Sequence, residues 1–323
     1  MHNNIAFQLL NRLRSSAAVL CAMLCLILLN YPSVAYSDKA RVNISITYQQ
    51  STGFIQRLIQ QMQLDLSSQG FQASSVKINP ESPVPEELNT SDIVIAVGSK
   101  TTKQLLDAEL HSPILSVLMP RHLADALQES HPRQKQWSSL LIDQPLERHF
   151  HLVTSIFGAH QQAGILLGPY TDNMKPLLER AAKRAQHNII TEQVKDTEQI
   201  MASLQTLNKK SNVLITLPDP MVFNQNTIRG ILLSSYRNKL PIIGFSRAYV
   251  KAGAIAAIYS EPTQISQQMA SIINEFILQK SFSKNHYYPT DFSVALNTNV
   301  ANSLGIDLES SASIIRRIKK AEQ

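Results

Sequence analysis

Apolar runs that stop abruptly in Pro, Gly, Asp or Ser recur through the last third of the chain. They are Val213-Leu-Ile-Thr-Leu-Pro-Asp-Pro220, Leu240-Pro-Ile-Ile-Gly-Phe-Ser246 and Ala252-Gly-Ala-Ile-Ala-Ala-Ile-Tyr-Ser260. Such runs are typical of parallel strands whose two faces are both covered by helices. Upstream, Val42 to Tyr48 alternates apolar and polar residues as a strand does. From Thr52 to Gln69 the period changes, with Ile55, Leu58, Ile59, Met62 and Leu66 on one helical face and Gly70 as the stop. Further strands are predicted over Phe71–Ile78, Ile93–Val97, Ile114–Leu118 and Ser139–Ile142. A second set follows over Ala163–Leu167, Asn188–Val194, Val213–Leu217, Ile242–Phe245 and Ala254–Tyr259. Helices are predicted over Leu146–Phe157, Met174–Gln186, Thr197–Asn208, Asn224–Arg237 and Thr263–Gln279. Alternating strands and amphipathic helices imply right-handed crossovers and parallel sheets. About ten strands divide more comfortably into two sheets of five or six than into one. The expected fold class is therefore α/β, with two doubly wound, Rossmann-like lobes.

The first 37 residues stand apart from this rhythm. Arg12 and Arg14 precede an apolar stretch from Ala17 to Leu29, and Ser33-Val-Ala35 or Ala35-Tyr-Ser37 provides small residues for cleavage. The pattern is that of a secretory signal peptide, its apolar core being short of the roughly 20 residues a spanning helix needs. Leu20 and Leu24 precede the two cysteines, Cys21 and Cys25, where a lipid anchor needs a small residue, so no lipid anchor is expected. Both cysteines lie in the leader, so a processed chain would carry no disulfide, thiolate nucleophile or Cys-ligated metal. Losing two arginines and no acids takes the net charge from +6 to +4. The densest basic run, Arg316-Arg-Ile-Lys-Lys320, reads as a solvated helix end, and no nucleic-acid partner is expected. The remaining roughly 285 residues suit two lobes, each with its own core.

Catalytic signatures do not accumulate. His149 and His151 are too close for a helical zinc pair and read as a surface or hinge-region pair. No Gly-x-Ser-x-Gly elbow occurs. Gly98-Ser-Lys-Thr101 lacks the spacing of a phosphate loop, and Gln49-Gln-Ser-Thr-Gly53 stands where a dinucleotide fingerprint would follow the first strand. The sequence thus points to a binding protein with no cofactor and no metal. Candidate ligand groups lie just past strand ends: Tyr48, Gln49, Ser51 and Thr52; Ser99, Lys100 and Thr101; Asp143; Tyr170 and Thr171; Asp219 and Phe223; Ser246; and Tyr259. Each has a plainer role available. Ser51, Ser99 and Thr101 could cap helices, Asp219 could shape a Pro-Asp-Pro turn, and Tyr259 could mark a hinge.

The segments Leu214-Ile-Thr-Leu-Pro-Asp-Pro-Met-Val222, Leu240–Ser246, Val250–Tyr259, Phe292-Ser-Val-Ala-Leu-Asn297 and Val300–Ile306 resemble the ABC transporter substrate-binding protein family. The resemblance is to the kind that includes tryptophan- and tyrosine-binding lipoproteins. It implies a type I periplasmic-binding fold with three crossing segments, near Gln144–Leu152, Tyr259–Pro262 and Tyr288–Phe292. Lobe 1 would span 38–150 with 262–287 returning to it, and lobe 2 would span 151–260 with 288–323 returning. In relatives the loop matching Gly98-Ser-Lys-Thr-Thr102 usually reads Gly-Thr-Pro-Ala-Ala, and the loop at Gly168–Asn173 carries Gly-Pro where relatives often have Tyr-Asn. The implied function is an exported, periplasmic solute-binding protein that captures an amino acid or similar small metabolite. It would pass this ligand to a membrane permease. The alternative is a ligand-responsive domain docking on a membrane sensor without transport.

Overall fold

The computed structural model describes residues 42–323 apart from positions 133 and 135. The expected leader, with both cysteines, lies outside the described residues. The first sheet begins with β1 (Asn43–Tyr48), α1 (Gly53–Ser68), β2 (Gln72–Lys77), β3 (Ile93–Val97) and α2 (Ser99–Asp107). It continues with β4 (Ile114–Met119), α3 (Arg121–Ser130) and β5 (Trp137–Leu141). The second sheet is then laid down by α4 (Leu146–Phe157), β6 (Gln162–Leu167), α5 (Lys175–Arg184), β7 (Asn188–Gln193), α6 (Ile200–Lys210) and β8 (Val213–Ile215). It is extended by α7 (Ile228–Arg237), β9 (Ile242–Gly244), α8 (Arg247–Ala252) and β10 (Ala256–Tyr259). The chain ends with α9 (Pro262–Gln279), β11 (His286–Tyr287), β12 (Ser293–Leu296), α10 (Thr298–Leu304) and α11 (Ser311–Ala321).

The strand orders are β2-β1-β3-β4-β5-β11 and β7-β6-β8-β9-β10-β12, the same winding used twice. In both sheets the order reverses beside the first strand, between β1 and β3 and between β6 and β8. A doubly wound sheet opens a crevice at that switch point, beyond the carboxyl ends of its strands. Sequence chemistry explains the elements. β3 is Ile-Val-Ile-Ala-Val, buried throughout, because helices cover both its faces. α1 buries Leu58, Ile59, Met62 and Leu66 along one stripe and is capped by Thr52 Oγ1, which accepts the Ile55 N–H. α9 packs on α1, with Met269 and Ile273 in the same core as Leu58 and Met62. α4 and α11 instead contribute Phe150, Val153, Ile314 and Ile318 to the core under the second sheet.

The chain therefore passes between the sheets three times, at 142–145, 260–261 and 288–292. One strand departs from the expected all-parallel arrangement: β12 pairs antiparallel with β10. The reason is topological. The third crossing enters the second sheet at the end where the parallel strands finish, with no helix to carry the chain to their start, so β12 must run the opposite way.

Other differences are local. β8 and β9 are three residues each, shorter than predicted. α7 begins at Ile228, not Asn224. Asn224 Oδ1 accepts the Asn226 and Thr227 N–H groups, and Thr227 Oγ1 donates to the Val222 carbonyl at 2.7 Å, which holds 224–227 as a turn. α3, α8, α10 and the edge strands β11 and β12 occupy stretches where no element is predicted. No helix among the described residues is long and apolar enough to cross a membrane.

Candidate functional site

The carboxyl ends of the two sheets enclose a cavity of about 60 Å³. Ile142, Asp143 and Gln144 line it from the end of the first sheet, and Leu217, Pro218 and Phe245 from the end of the second; Leu146, His149 and Met174 complete the wall. Asp143 is buried, and its Oδ2 accepts the Arg121 N–H at 2.8 Å. Burial pushes its carboxyl up to about 6, against the opposing pull of that N–H and of the Arg121 charge. Among the described residues it forms no ion pair.

His149 is the second buried titratable group of the cavity. It is 3% exposed, and neither ring nitrogen has a hydrogen-bond partner among the described residues. Burial pushes it down to about 4; the Pro145 carbonyl one turn earlier works the other way without reaching bonding geometry, and Arg148 adds to the depression. Of the expected surface or hinge-region pair, the surface reading is thereby corrected for His149, which lies buried one turn past the first crossing. His149 shares the inner face of α4 with Leu146, Phe150 and Val153, and that i, i+3, i+4, i+7 spacing was the signal for burial. His151 is half-buried on the same helix.

The other predicted residues divide by what already occupies them. Asp219 is 1% exposed and turned inward. Its Oδ2 accepts the Tyr170 N–H at 3.1 Å and the Thr171 hydroxyl at 3.0 Å, and its Oδ1 accepts the Met221 and Val222 N–H groups at 3.0 and 3.2 Å. Asp219 and Thr171 therefore fasten the 168–172 loop to the 217–222 turn, and neither offers a free group to a ligand. Gly168 permits this approach, since a Cβ there would lie 2.6 Å from Asp219 Oδ2 and from Val222 Cγ2. Phe223 is also corrected: it is buried in the core beneath α7, edge-on to Phe245 and Tyr249. Thr52 is the α1 cap, and Ser51 accepts from Gln56.

Gln49 donates to Gln104 Oε1 at 2.7 Å, binding the end of β1 to α2. Tyr48 is half-buried at the same strand end. Ser99 and Lys100 open α2 beyond Gly98, with Lys100 exposed, while Thr101 is buried in the helix. Ser246 precedes α8 without using its side chain as a cap. Tyr259 accepts from Arg247 Nε at 2.7 Å and donates to Glu261 Oε1 at 2.9 Å, at the second crossing. Tyr170, 43% exposed, meets His122 of α3 with ring centroids 5.1 Å apart, so an aromatic contact spans the two lobes. Burial holds the His122 imidazole below its usual range.

Sequence reasoning missed the group that binds the crossings together. Arg148 is buried; it pairs with Glu322 at 2.5 Å, donates to the Pro289 carbonyl at 3.0 Å and to Gln144 Oε1 at 2.7 Å, and stacks 4.3 Å over the Phe292 ring. Gln144 donates to Ser260 Oγ at 2.9 Å, and Ser260 donates to the Asp291 carbonyl at 2.8 Å. All three crossings are thus linked through side chains. An arginine on a helix face otherwise facing the core was the available signal.

The sequence model of the family described as ABC transporter substrate binding protein matches residues 86–316. Among solved structures, a ligand-free, open substrate-binding protein with adhesive properties from Clostridium difficile superposes with a TM-score of 0.65 at 15% identity, over 83% of this chain and 96% of that one. The ABC domain in complex with L-Trp from Streptococcus pneumonia gives 0.59 at 15% identity, over 86% and 98%. A conserved domain protein from Vibrio cholerae gives 0.59 at 18% identity, over 85% and 98%. A search of curated protein sequences returns no match.

Proposed function

The chain belongs to the ABC transporter substrate binding protein family, and on that premise we propose that it is exported to the periplasm, captures a small amine-bearing metabolite between its lobes and delivers it to a membrane permease. The observation that carries this reading is Asp143, a buried carboxylate with no ion pair among the described residues, in a cavity walled by both sheets. A buried carboxylate at neutral pH is costly until a cation joins it. An ammonium group supplies that cation, while Phe245, Leu217 and Met174 offer apolar surface to the rest of the ligand. Lys100, exposed in the first turn of α2 just past the end of β3, offers a cation to a ligand carboxylate once the lobes part.

A cavity of about 60 Å³ is well below the roughly 300 Å³ of a typical ligand site. Loading therefore requires the lobes to part. The three short crossings supply the hinge, and closure over the ligand buries Asp143 again. The C. difficile relative is described as open in its ligand-free form, which supports such a cycle.

Calorimetry of the purified chain against amino acids, their decarboxylated amines and small polyols tests the reading. Saturable binding confined to amine-bearing compounds, weakened about thirtyfold (about 2 kcal/mol) by Asp143→Asn, is the expected result. A flat response from folded protein, or binding indifferent to Asp143→Asn, would sink it.

A further inference from the structure

A second concave surface lies on the outer flank of the second sheet and shares no lining residue with the interlobe cavity. It is a groove of about 550 Å³, floored by Leu232 and Gly253 and walled by Ile228, Leu233, Tyr236 and Val300. Leu233 and Tyr236 are 48% and 50% exposed, and both stand in the wall of the same groove.

The charge around the groove is one-sided. Between Ile200 and Ser260 the sequence has seven Lys and Arg residues against one acid, Asp219, which is buried and internally bonded. All seven cations are exposed. Arg247 pairs with Glu261; Lys209, Lys210, Arg229, Arg237, Lys239 and Lys251 form no ion pair among the described residues. Arg229 and Arg237 lie on α7 and Lys251 on α8, two of the elements that wall the groove. Arg229 lines it, and Arg229, Leu233 and Arg237 succeed one another at i, i+4 and i+8 along α7. That spacing places a cation one turn to either side of the exposed leucine. Lys251 precedes the lining pair Ala252 and Gly253, and Lys209 and Lys210 end α6, which packs beside α7.

Cations at helix C-termini offset the macrodipole, which accounts for Arg237, Lys251, Lys209 and Lys210 in isolation. It does not account for Arg229, which sits in the first turn of α7, where the dipole disfavours a cation.

We propose that this groove docks an acidic protein segment that inserts a leucine or aromatic side chain between Leu233 and Tyr236 and sets Asp or Glu against Arg229, Arg237 and Lys251. Concavity favours a protein segment over a lipid surface, because membrane-binding faces present apolar side chains outward to enter the headgroup layer. The face lies away from the interlobe cavity, so the inference does not depend on the ligand reading.

The test is fluorescence anisotropy of the chain, as purified from cells, with labelled peptides carrying one Leu, Phe or Trp flanked by Asp and Glu. Matched peptides carry Asn and Gln instead. The acidic peptides are expected to bind at least about tenfold more tightly than their amide counterparts and to weaken with added salt. Leu233→Ser with Tyr236→Ser, and separately Arg229→Glu with Lys251→Glu, should each weaken binding by about tenfold or more with unchanged unfolding curves. Equal affinity for the amide peptides, indifference to both double variants, or no saturable binding by any peptide would overturn the proposal. Binding to phosphatidylglycerol vesicles without peptide binding would overturn it in favour of a membrane surface. Self-association abolished by the same variants would overturn it in favour of a second copy of the chain.

Discussion

The Gln144 side chain donates to Ser260 Oγ at 2.9 Å, which ties the first crossing to the second in a single contact. Arg148 extends the tie to the third crossing and to the C-terminal helix through Pro289 and Glu322. Truncating it in Arg148→Ala leaves Gln144 Oε1 and the Pro289 and Thr290 carbonyls without their donor and Glu322 without its cation. The expected loss is about 3 kcal/mol, read as a lower urea midpoint. The Arg148→Lys variant should recover part of it, since an ammonium cannot serve Gln144, Pro289 and Glu322 with the geometry of a guanidinium. A midpoint unchanged in Arg148→Ala would mean the crossings are held by backbone alone.

Gly168→Ala tests the fastening of the second lobe's first loop. The new methyl would sit 2.6 Å from Asp219 Oδ2 and Val222 Cγ2, so the loop must withdraw from the carboxylate. A destabilisation of about 2 kcal/mol is expected, with faster hydrogen exchange at the Tyr170 amide, whose bond to Asp219 is lengthened. Unaltered exchange at Tyr170 would show that the loop is held by other contacts.

The alternation of buried strands and amphipathic helices was legible from periodicity alone, because residues such as Ile93–Val97 and Leu58–Leu66 face a core on a fixed period. Edge strands were not. β11 is two residues long and carries no pattern of its own, and the direction of β12 depends on where the third crossing enters, which no local window contains. In the candidate site, strand-end positions were readable from the switch-point rule, but the use of each side chain was not. Asp143 and Asp219 look alike in sequence, each following an apolar run. Asp219 is consumed because Gly168 brings a second loop within bonding distance, and Asp143 keeps a free face because, among the described residues, only the Arg121 N–H bonds to its carboxylate. Such pairings join residues about 50 positions apart in the chain, as Tyr170 and Asp219 show.

Asp143 and His149 should give stability opposite dependences on pH. The Asp143 carboxyl is raised to about 6 in the folded state, so the folded chain holds the proton more tightly than the unfolded one. Its contribution is present in acid and is lost as pH rises from about 4 through 6. The imidazole of His149 is lowered to about 4, so the unfolded chain binds the proton more tightly; its contribution is present above the ordinary histidine range near 6.5 and is lost as pH falls toward 4. Each is on the order of 3 kcal/mol across its window, and the windows overlap. His149→Leu should therefore tilt the stability profile between pH 4 and 6 downward with rising pH relative to the parent, and Asp143→Asn should tilt it upward. Denaturant midpoints across that range decide the matter, and parallel profiles for parent and variants would refute the assignment of either group.

Tyr170 and His122 bring the lobes together from opposite sides, and an aromatic pair of this kind is worth about 1 kcal/mol beyond its buried area. Removing it in Tyr170→Ala should shift the ratio of closed to open forms by about fivefold, because 1.4 kcal/mol corresponds to tenfold. Spin labels report this directly. Residues 42–323 contain no cysteine, so Glu129→Cys and Lys183→Cys, both exposed and on opposite lobes, give a uniquely labelled pair in protein expressed without residues 1–37. The parent should show mainly the short lobe-to-lobe distance, and Tyr170→Ala a larger share of a longer one. Tyr170→Phe, which keeps the ring, should behave as the parent. Acidification supplies an independent arm. Burial holds His122 below its usual range, so protonating it favours exposure of the ring and should lengthen the distance in the parent but much less in Tyr170→Ala, where the ring is already uncovered. Distances that ignore both the substitution and the pH would place the closing contacts elsewhere along the cleft.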